Sequence, residues 1–528
     1  ADSTKTLDVD GGTIKLDGNY PVGTDNVALG DAALDSLTSG SYNTALGPNA
    51  LTANTSGISS VAVGHSALLV NTTGQQSVAV GNSSLENNTS GSYNTALGRS
   101  ALSANTTASY NTAVGYQSLT SNTTGTRNVG VGYNTLSLNT TANDNTSVGH
   151  DALDVNTTGA FNTALGSSAL GSNTTAAANT AVGYQALTTN TTGGDNAAFG
   201  YQAAQSNTTG DYLTAIGRQA LYNNTTADYN TAVGYRASYA NTTGFRNVAL
   251  GAFTGQNVTT GTYNVAIGYS AGGANGSNLS GAENITIGGF SGTNITSANF
   301  NVAMGDSTLR NNTTGSNNTA LGQTALYNNT TASNNTAVGL GALYANTTGY
   351  ENTFVGYIAG DSITTGVQNT GVGYNAGGAA TTGASNTYLG HGSGSAITTG
   401  NQNTILGRYS GNNGGLDIRT SNNNIVLSDG SGNPRVFINS TGNVGIGTVN
   451  QNARLMVEAP ANTIQPLAIN DSSNTASATH RISFRTGNTE VGKILATNSA
   501  TTYATSSDHR LKENVDYTWD ATTRLKQL

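Results

Sequence analysis

The sequence predicts an all-β protein, a parallel β-roll or β-solenoid of about 23 coils with a period of 17. Three observations carry that prediction. The phrase N-T-A-(V/L)-G returns at a spacing of 17, with glycines at Gly30, Gly47, Gly64, Gly81 and Gly98 and onward to Gly268. One step of 20 leads to Gly288, and the spacing of 17 resumes from Gly305 to Gly407. The residue before each glycine is apolar, as at Leu46, Val63, Val80, Leu97, Val114, Phe199, Ile216 and Met304. Asn, Thr and Gly, the commonest partners of that phrase, are poor helix formers, and the repeat is too short for a helical hairpin. A period sustained over about 380 residues marks a stacked architecture.

Each coil reads as short extended pieces separated by turns. N-T-A-V-G alternates apolar and polar residues as a half-buried strand does. N-T-T-G, seven residues after the glycine, reads as a turn, because Asn and Gly tolerate positive φ and Thr hydroxyls bond nearby backbone. A second Leu, four after the glycine, recurs at Leu51, Leu68, Leu102, Leu119, Leu221 and Leu326. Stacked at a strand spacing of roughly 4.8 Å, the coils make a rod on the order of 110 Å long, with backbone hydrogen bonds running from coil to coil. The expected interior is a set of Val, Leu and Ile columns. Ala two before the glycine (Ala45, Ala62, Ala79, Ala96) marks a tightly packed second face.

Residues 1–25 read as an N-terminal cap or attachment segment: L-D-V-D-G-G-T-I-K-L-D-G alternates around a Gly-Gly turn, and a solenoid needs its open end covered. Residues 26–407 carry the repeats. The turn alternates imperfectly between N-T-T-G (Gly125, Gly159, Gly193) and N-T-T-A (Ala108, Ala142, Ala176), which hints at a two-coil unit. One aromatic set follows the glycine: Tyr116, Tyr133, Tyr184, Tyr201, Tyr235 and Tyr269. Another lies five before it: Tyr42, Tyr93, Tyr110, Phe161, Tyr212 and Tyr229. Both are read as stripes along the rod, serving either ring stacking between coils or chains, or binding of a sugar or surface. From Phe354 the phrase changes to Y-I-A-G-D-S-I-T-T-G, and the rod's profile is expected to change with it. Residues 408–450 leave the period and read as a β-hairpin about Asp429-Gly430, followed by S-T-G-N-V-G-I-G-T. Residues 451–507 form a more charged C-terminal β region, and 508–528 begin a further domain.

Two stretches resemble known families. N-T-A-L-G-P-N-A-L and S-V-A-V-G-H-S-A-L look like the head repeats of trimeric autotransporter adhesins, the YadA-like family, over about Asn26 to Gly407. The resemblance implies a left-handed parallel β-roll in which three chains pack together. That family's coils are usually shorter than the coil here; the extra residues fall in the N-T-T-G turn and imply a larger cross-section. T-S-S-D-H-R-L-K-E-N-V, Thr505 to Val515, is similar to the start of the intramolecular chaperone domain of endosialidase-type phage tail spikes and fibres, the S74 peptidase family. G-N-V-G-I-G-T commonly stands upstream of such domains. Carried over, the resemblance implies a domain that trimerises the fibre and then cuts itself off between Ser507 and Asp508, with Ser507 as nucleophile and Lys512 as its general base. A serine hydroxyl needs such a base, and a lysine serves when burial lowers its pKa. The segment 508–528 is expected to be a truncated form of that domain.

Length alone, 528 residues, implies several domains, but the repeat overrides that prior. Low charge and abundant Gly resemble a disordered composition, against which the strict period argues. A net charge of −8 disfavours a nucleic-acid partner. Cysteine is absent, which removes disulfides and thiol chemistry. No apolar run reaches membrane-spanning length and no signal peptide stands at Ala1, so the expectation is export by other means, release by lysis, or prior processing, without membrane insertion. Neither zinc-protease, P-loop nor calcium β-roll patterns occur, so no cofactor and no metal are expected. His65, His150 and His391 occupy the slot after the glycine and read as stripe members rather than ligands. Sequons recur at Asn71, Asn105, Asn122, Asn190 and Asn241; the repeated turn explains them, and glycosylation is the alternative reading.

The expected function is a structural and adhesive homotrimeric fibre, a bacteriophage tail fibre of the virion tail or an extracellular equivalent. It would bind a host cell-surface glycan or protein receptor and join other virion tail proteins through its N-terminus. The only enzymatic event expected is one self-cleavage. Repeated weak contacts would act through avidity, with Tyr116, Tyr133, Tyr184, Tyr201 and Tyr235 as the binding stripe. The alternatives are a bacterial trimeric surface adhesin, a tail spike with polysaccharide-degrading activity, and an ice-binding solenoid using its Thr columns.

Overall fold

The computed structural model describes residues 23–273 and 279–458, and the backbone of three further strands between 479 and 505. It divides at Val444/Gly445 into two compact units.

The first unit is a parallel β-solenoid. Three-residue strands run from β1 (Val27–Leu29) and β2 (Thr44–Leu46) to β23 (Thr404–Leu406), one per coil, and no helix occurs among the described residues. Successive strands pair in parallel at constant register: Thr112 faces Val129, Ala113 faces Gly130 and Val114 faces Val131. The step of 20 is absorbed outside the strands, since Val265 still pairs with Ile285. Hydrogen bonds tie coil to coil at several places in each turn. In the coil of Gly115 they run from Thr112 N to Asn128 O (2.8 Å), Gly115 N to Leu97 O (2.7 Å) and Leu119 N to Thr135 O (3.0 Å).

The interior differs from the expected aliphatic columns in a specific way. In most strands the middle residue is Ala, which points inward and is buried, as at Ala45, Ala96 and Ala113. Its two neighbours therefore point outward, since side chains alternate along a strand. The apolar residue before the glycine is outside: Phe199 is 40 % exposed and Met304 42 %. The large aliphatic inside is the Leu four after the glycine, fully buried at Leu51, Leu102, Leu119 and Leu221.

Two asparagine columns complete the core. The Asn four before the glycine accepts the next coil's backbone at its Oδ1 (Asn128 N to Asn111 Oδ1, 2.9 Å) and donates Nδ2 to a turn carbonyl (Asn111 Nδ2 to Gly125 O, 2.8 Å). The Asn seven after it donates both to that same carbonyl (Asn122 Nδ2 to Gly125 O, 2.9 Å) and to the preceding rung (Asn105 Oδ1, 3.1 Å). N-T-T-G is thus not a left-handed turn. Positive φ falls instead on Tyr110, Gln117 and Leu119, and on Gly115 itself, while Asn122 and Gly125 have none. A Leu at φ 53° is unusual, because a left-handed conformation costs a residue with a Cβ about 1–2 kcal/mol.

In four coils two core positions change together. Leu119-type positions become Gly255, Gly292, Gly360 and Gly394 in coils whose Asn122-type position is Val258, Ile295, Ile363 and Ile397. These glycines keep the left-handed φ, 56° at Gly255 and 63° at Gly360, without the steric cost. From Phe354 the strand's inward residue also enlarges. Phe354 and Tyr388 are fully buried, and an added Cβ at Gly360 or Gly394 would meet their rings at 2.7 and 2.2 Å. The expected change of profile after Phe354 is therefore a transfer of volume from one side of the core to the other.

The hairpin is present. β24 (Ile425–Ser428) extends the parallel ladder on β23 and pairs antiparallel with β25 (Pro434–Ile438). Asp429 clamps the turn, accepting from Ser431 N and Asn433 N at 2.9 Å each and from Arg435 Nε at 2.9 Å. β26 (Val444–Ile446) follows at the boundary between the units. The second unit holds β27 (Leu455–Val457) and a three-stranded antiparallel sheet, β28 (Thr479–Thr486), β29 (Thr489–Ala496) and β30 (Thr501–Thr505).

Candidate binding surface

Because every coil repeats its register, each outward position becomes a column along the solenoid. The column after the glycine carries the expected tyrosines. Tyr116 stacks on Tyr133 (5.2 Å between centroids), Tyr133 on His150 (5.0 Å), and Tyr184 on Tyr201 (5.4 Å). Tyr235 meets Phe253 edge-on at 5.1 Å. The five tyrosines therefore form three groups rather than one stripe. Tyr374 and His391 extend the column at the far end, 4.7 Å apart. His150 and His391 are thus members of the aromatic column, and among the described residues no group of His and acidic side chains is arranged to hold a metal ion.

The column five before the glycine stacks in the same manner: Tyr93 on Tyr110 at 4.9 Å and Tyr212 on Tyr229 at 4.8 Å. A third column, five after the glycine, was not apparent from the repeat phrase. It pairs Tyr222 with Tyr239 (5.1 Å) and Tyr327 with Tyr344 (5.2 Å). The repeat spacing between the members of each pair was the available signal. Arginines close many stack ends and gaps, as Arg99 does over Tyr116 and Arg246 does between Tyr229 and Tyr263. Such cation–π contacts contribute about 0.5–1 kcal/mol each at exposed sites.

Electrostatics follow the same columns. Arg127 and Asp144, one coil apart, form a two-point ion pair at 2.6 and 2.8 Å. Their hydrogen bonds hold the Asp144 carboxyl below its ordinary range and the Arg127 guanidinium above its own. Burial pushes the Asp154 carboxyl up, and the charge of Asp151 adds to it.

The sequon asparagines are not surface residues. Asn71, Asn105, Asn122, Asn190 and Asn241 all have side chains inside the coil, at 0–1 % exposure. Each amide donates to the rung before it, at 3.3, 2.7, 3.1, 3.1 and 2.7 Å respectively. A glycan on any of them has no room in the folded coil, so glycosylation there gives way to the interior hydrogen-bond ladder. Where the ladder stops, its last oxygen is left without a partner: Asn241 Oδ1 precedes Val258, and Asn346 Oδ1 precedes Ile363.

No family model, curated protein or solved structure matches the chain.

Ser507, Asp508 and Lys512 lie outside the described residues, as does most of the N-terminal segment 1–25. Among the described residues no helix is long and apolar enough to cross a membrane.

Proposed function

We infer that the chain is the shaft of a homotrimeric, surface-binding fibre, and specifically a bacteriophage tail fibre that recognises a host cell-surface receptor. The observation that carries this reading is the outward strand face. The column of Leu, Val, Ile, Phe and Met before the glycine runs the length of the solenoid beside a column of Thr and Val. A single chain leaves much of it half-buried or exposed, as at Leu97, Leu165, Phe199, Ile216, Met304 and Leu389. Contiguous apolar surface of that extent marks an interaction face. Its occupant is two further copies of the same chain, because only a partner with the same coil spacing matches it rung for rung. Three parallel copies would then display each aromatic column three times, which suits weak multivalent recognition.

The test is the mass of the intact particle in solution, together with adsorption to candidate host cells. A monodisperse particle of three chains that coats the host envelope is expected. A stable monomer with the strand face open to solvent refutes the trimer. The T-S-S-D-H-R-L-K-E-N-V segment adds a second element to the proposal, an assembly domain that folds the trimer and is released once by cleavage between Ser507 and Asp508. There the Ser507 hydroxyl would attack the carbonyl of the Ser507–Asp508 bond as Lys512 takes its proton, the protonated Asp508 amine would leave, and water would hydrolyse the resulting ester to a free Ser507 carboxylate. Mass spectrometry of the mature C-terminus is expected to find a chain ending at Ser507, and Ser507→Ala to keep the segment attached.

A further inference from the structure

The aromatic column after the glycine is interrupted three times by a single coil whose two neighbours both carry rings: at Ser167, Arg218 and Ala252. Two of the interruptions are filled from within the chain. The Arg218 guanidinium lies between Tyr201 and Tyr235, at 5.3 and 6.0 Å from their centroids. Phe253 turns edge-on between Tyr235 and Tyr269, at 5.1 and 5.8 Å. The third, between His150 and Tyr184, holds only the short side chain of Ser167, and among the described residues no ring or guanidinium spans it.

The dimensions of this opening follow from the repeat. Neighbouring rings in the column are 5.0 Å apart at Tyr133–His150 and 5.4 Å apart at Tyr184–Tyr201. His150 and Tyr184 are two coils apart, or about 10 Å at strand spacing. A six-membered ring inserted between them would sit about 5 Å from each, within the range at which rings stack favourably. The rim is polar. The next column over places Asp151, Ser168 and Gln185 beside the three coils, and the Asp151 carboxylate accepts from His150 Nδ1 at 2.9 Å, which fixes that ring. Both walls are exposed, Tyr184 by 46 %, and Ser167 and Ser168 on the floor are half-buried.

We propose that the slot between His150 and Tyr184 binds one pyranose ring of a surface glycan, with Ser167 as its floor. The ring's apolar C–H faces would lie against His150 and Tyr184 as the missing rung of the stack. Its hydroxyls would meet the Ser167 and Ser168 hydroxyls, the Asp151 carboxylate and the Gln185 amide. A sugar suits this site better than an aromatic side chain, which would leave that polar rim without partners. The assignment deepens the receptor-binding reading above and rests on it for biological meaning. The slot's chemistry stands separately.

The experiment titrates the full chain, in its native assembly, with methyl glycosides of glucose, galactose, mannose, N-acetylglucosamine and N-acetylgalactosamine, and with p-cresol as an aromatic probe. Saturation-transfer NMR from the His150 and Tyr184 ring protons reads the contact. At least one glycoside is expected to bind in the millimolar range, as a single weak site does. Ser167→Tyr installs the residue the column already carries at Tyr133 and Tyr184, so it fills the slot without altering the coil. It is expected to weaken binding more than tenfold with an unchanged melting temperature. Ser167→Arg, which copies Arg218, is the second filling variant should the first fold poorly. Saturation transfer to p-cresol alone, undiminished sugar binding in both filled variants, or no glycoside response at all would each overturn the proposal. If wild-type protein coats host cells and both filled variants do so equally, the slot assignment fails while the fibre reading stands. If a glycoside binds through the slot but no cell surface is recognised, the fibre reading fails instead.

Discussion

Replacing Asn122 by alanine tests the claim that the core is held by a side-chain amide ladder rather than by aliphatic packing alone. Asn122 donates Nδ2 to Asn105 Oδ1 at 3.1 Å and to Gly125 O at 2.9 Å, and it accepts from Asn139 Nδ2 at 2.8 Å. The alanine leaves Asn105 Oδ1 without its donor and Asn139 Nδ2 without one of its two acceptors. Gly125 O keeps a second donor, Asn111 Nδ2, at 2.8 Å. Two newly unpaired buried groups cost about 1–3 kcal/mol each, and the vacated volume adds to that. Partial relaxation brings the expected local cost to about 3–5 kcal/mol. Unfolding of a repeat array is not a single step, so the assay is native-state hydrogen exchange of amides in the coils of Gly98, Gly115 and Gly132. Their exchange should accelerate by about two hundredfold to several thousandfold, fading over neighbouring coils. Thr124→Ala, at the exposed position two residues on, is the control and should change little. If Asn122→Ala exchanges like that control, the ladder reasoning is wrong.

Four other outcomes are expected. Alanine occurs in the Gly125 column, as at residues 108, 142 and 176, but never in two neighbouring described coils; an added Cβ would lie 2.3 Å from the next coil's carbonyl oxygen at Gly125 and 2.5 Å at Gly366, so the coils must part at either site, and neighbouring alanines would require it at successive rungs. Gly125→Ala, flanked by Ala108 and Ala142, should therefore destabilise by about 1–3 kcal/mol and clearly more than Gly366→Ala, flanked by glycines; equal effects in thermal melting would refute this. Leu119→Gly and Asn122→Val should each be costly, while the pair together should recover part of the loss, with a coupling of about 0.5–3 kcal/mol in a double-mutant cycle. Asp429 has its carboxyl lowered to about 2, chiefly by the Asn433 backbone N–H and then by Arg435. Its contribution to the hairpin is thus present above the ordinary carboxylate pKa and is lost as pH falls from about 4 to about 2; Asp429→Asn should remove that acid transition from β24–β25 exchange. Finally, chain made in a glycosylating host and folded should carry no glycan at Asn105 or Asn122 by peptide mapping.

The solenoid was legible because its period is strict: a glycine at the same place in coil after coil left little room for any other architecture, and the hairpin about Asp429-Gly430 announced itself by leaving that period. The orientation of the columns was not legible in the same way. T-A-V shows that two faces alternate but not which one is inward. The usual preference for larger apolar residues inside then chose Val over Ala. The choice fails because the interior is already filled by Leu119-type side chains and two rows of Asn, and only a small residue, Ala in most coils and Gly130 or Ser147 in others, fits opposite them. Asn itself misled for a related reason. Its common role is the turn, whereas here its amide meets carbonyls and other amides that the coil would otherwise bury unpaired. A signal was present in the residues that replace it in N-T-T-G: Val258, Ile295 and Ile363 are choices for an interior, not for a turn. The aromatic columns were legible as columns, but not their grouping, because some interruptions are bridged by an arginine at the missing rung, as at Arg218 and Arg246, and one by a ring from the adjacent position, Phe253.

This division of labour bears on how such a chain acquires specificity. Interior positions are coupled: Leu119 constrains Asn122, Asn122 constrains Asn105 and Asn139, and each glycine column constrains its neighbours along the stack. Outward positions answer to fewer residues: those one coil above and below and those in the adjacent column, as His150 does to Asp151. A change such as Ser167 to Tyr converts an open slot into a closed stack without touching the core. Binding sites on this scaffold are therefore made by omission. A ring left out of a column opens a gap whose width is set by the coil spacing and whose walls are already rigid, so little ordering cost is left for the ligand to overcome. If that holds, filling or opening gaps elsewhere, for example by Arg218→Ser between Tyr201 and Tyr235, should create a second slot of the same width. Glycoside stoichiometry would rise from one to two per chain in the titration that tests Ser167, and an unchanged stoichiometry would show that spacing and aromatic walls alone do not make a site.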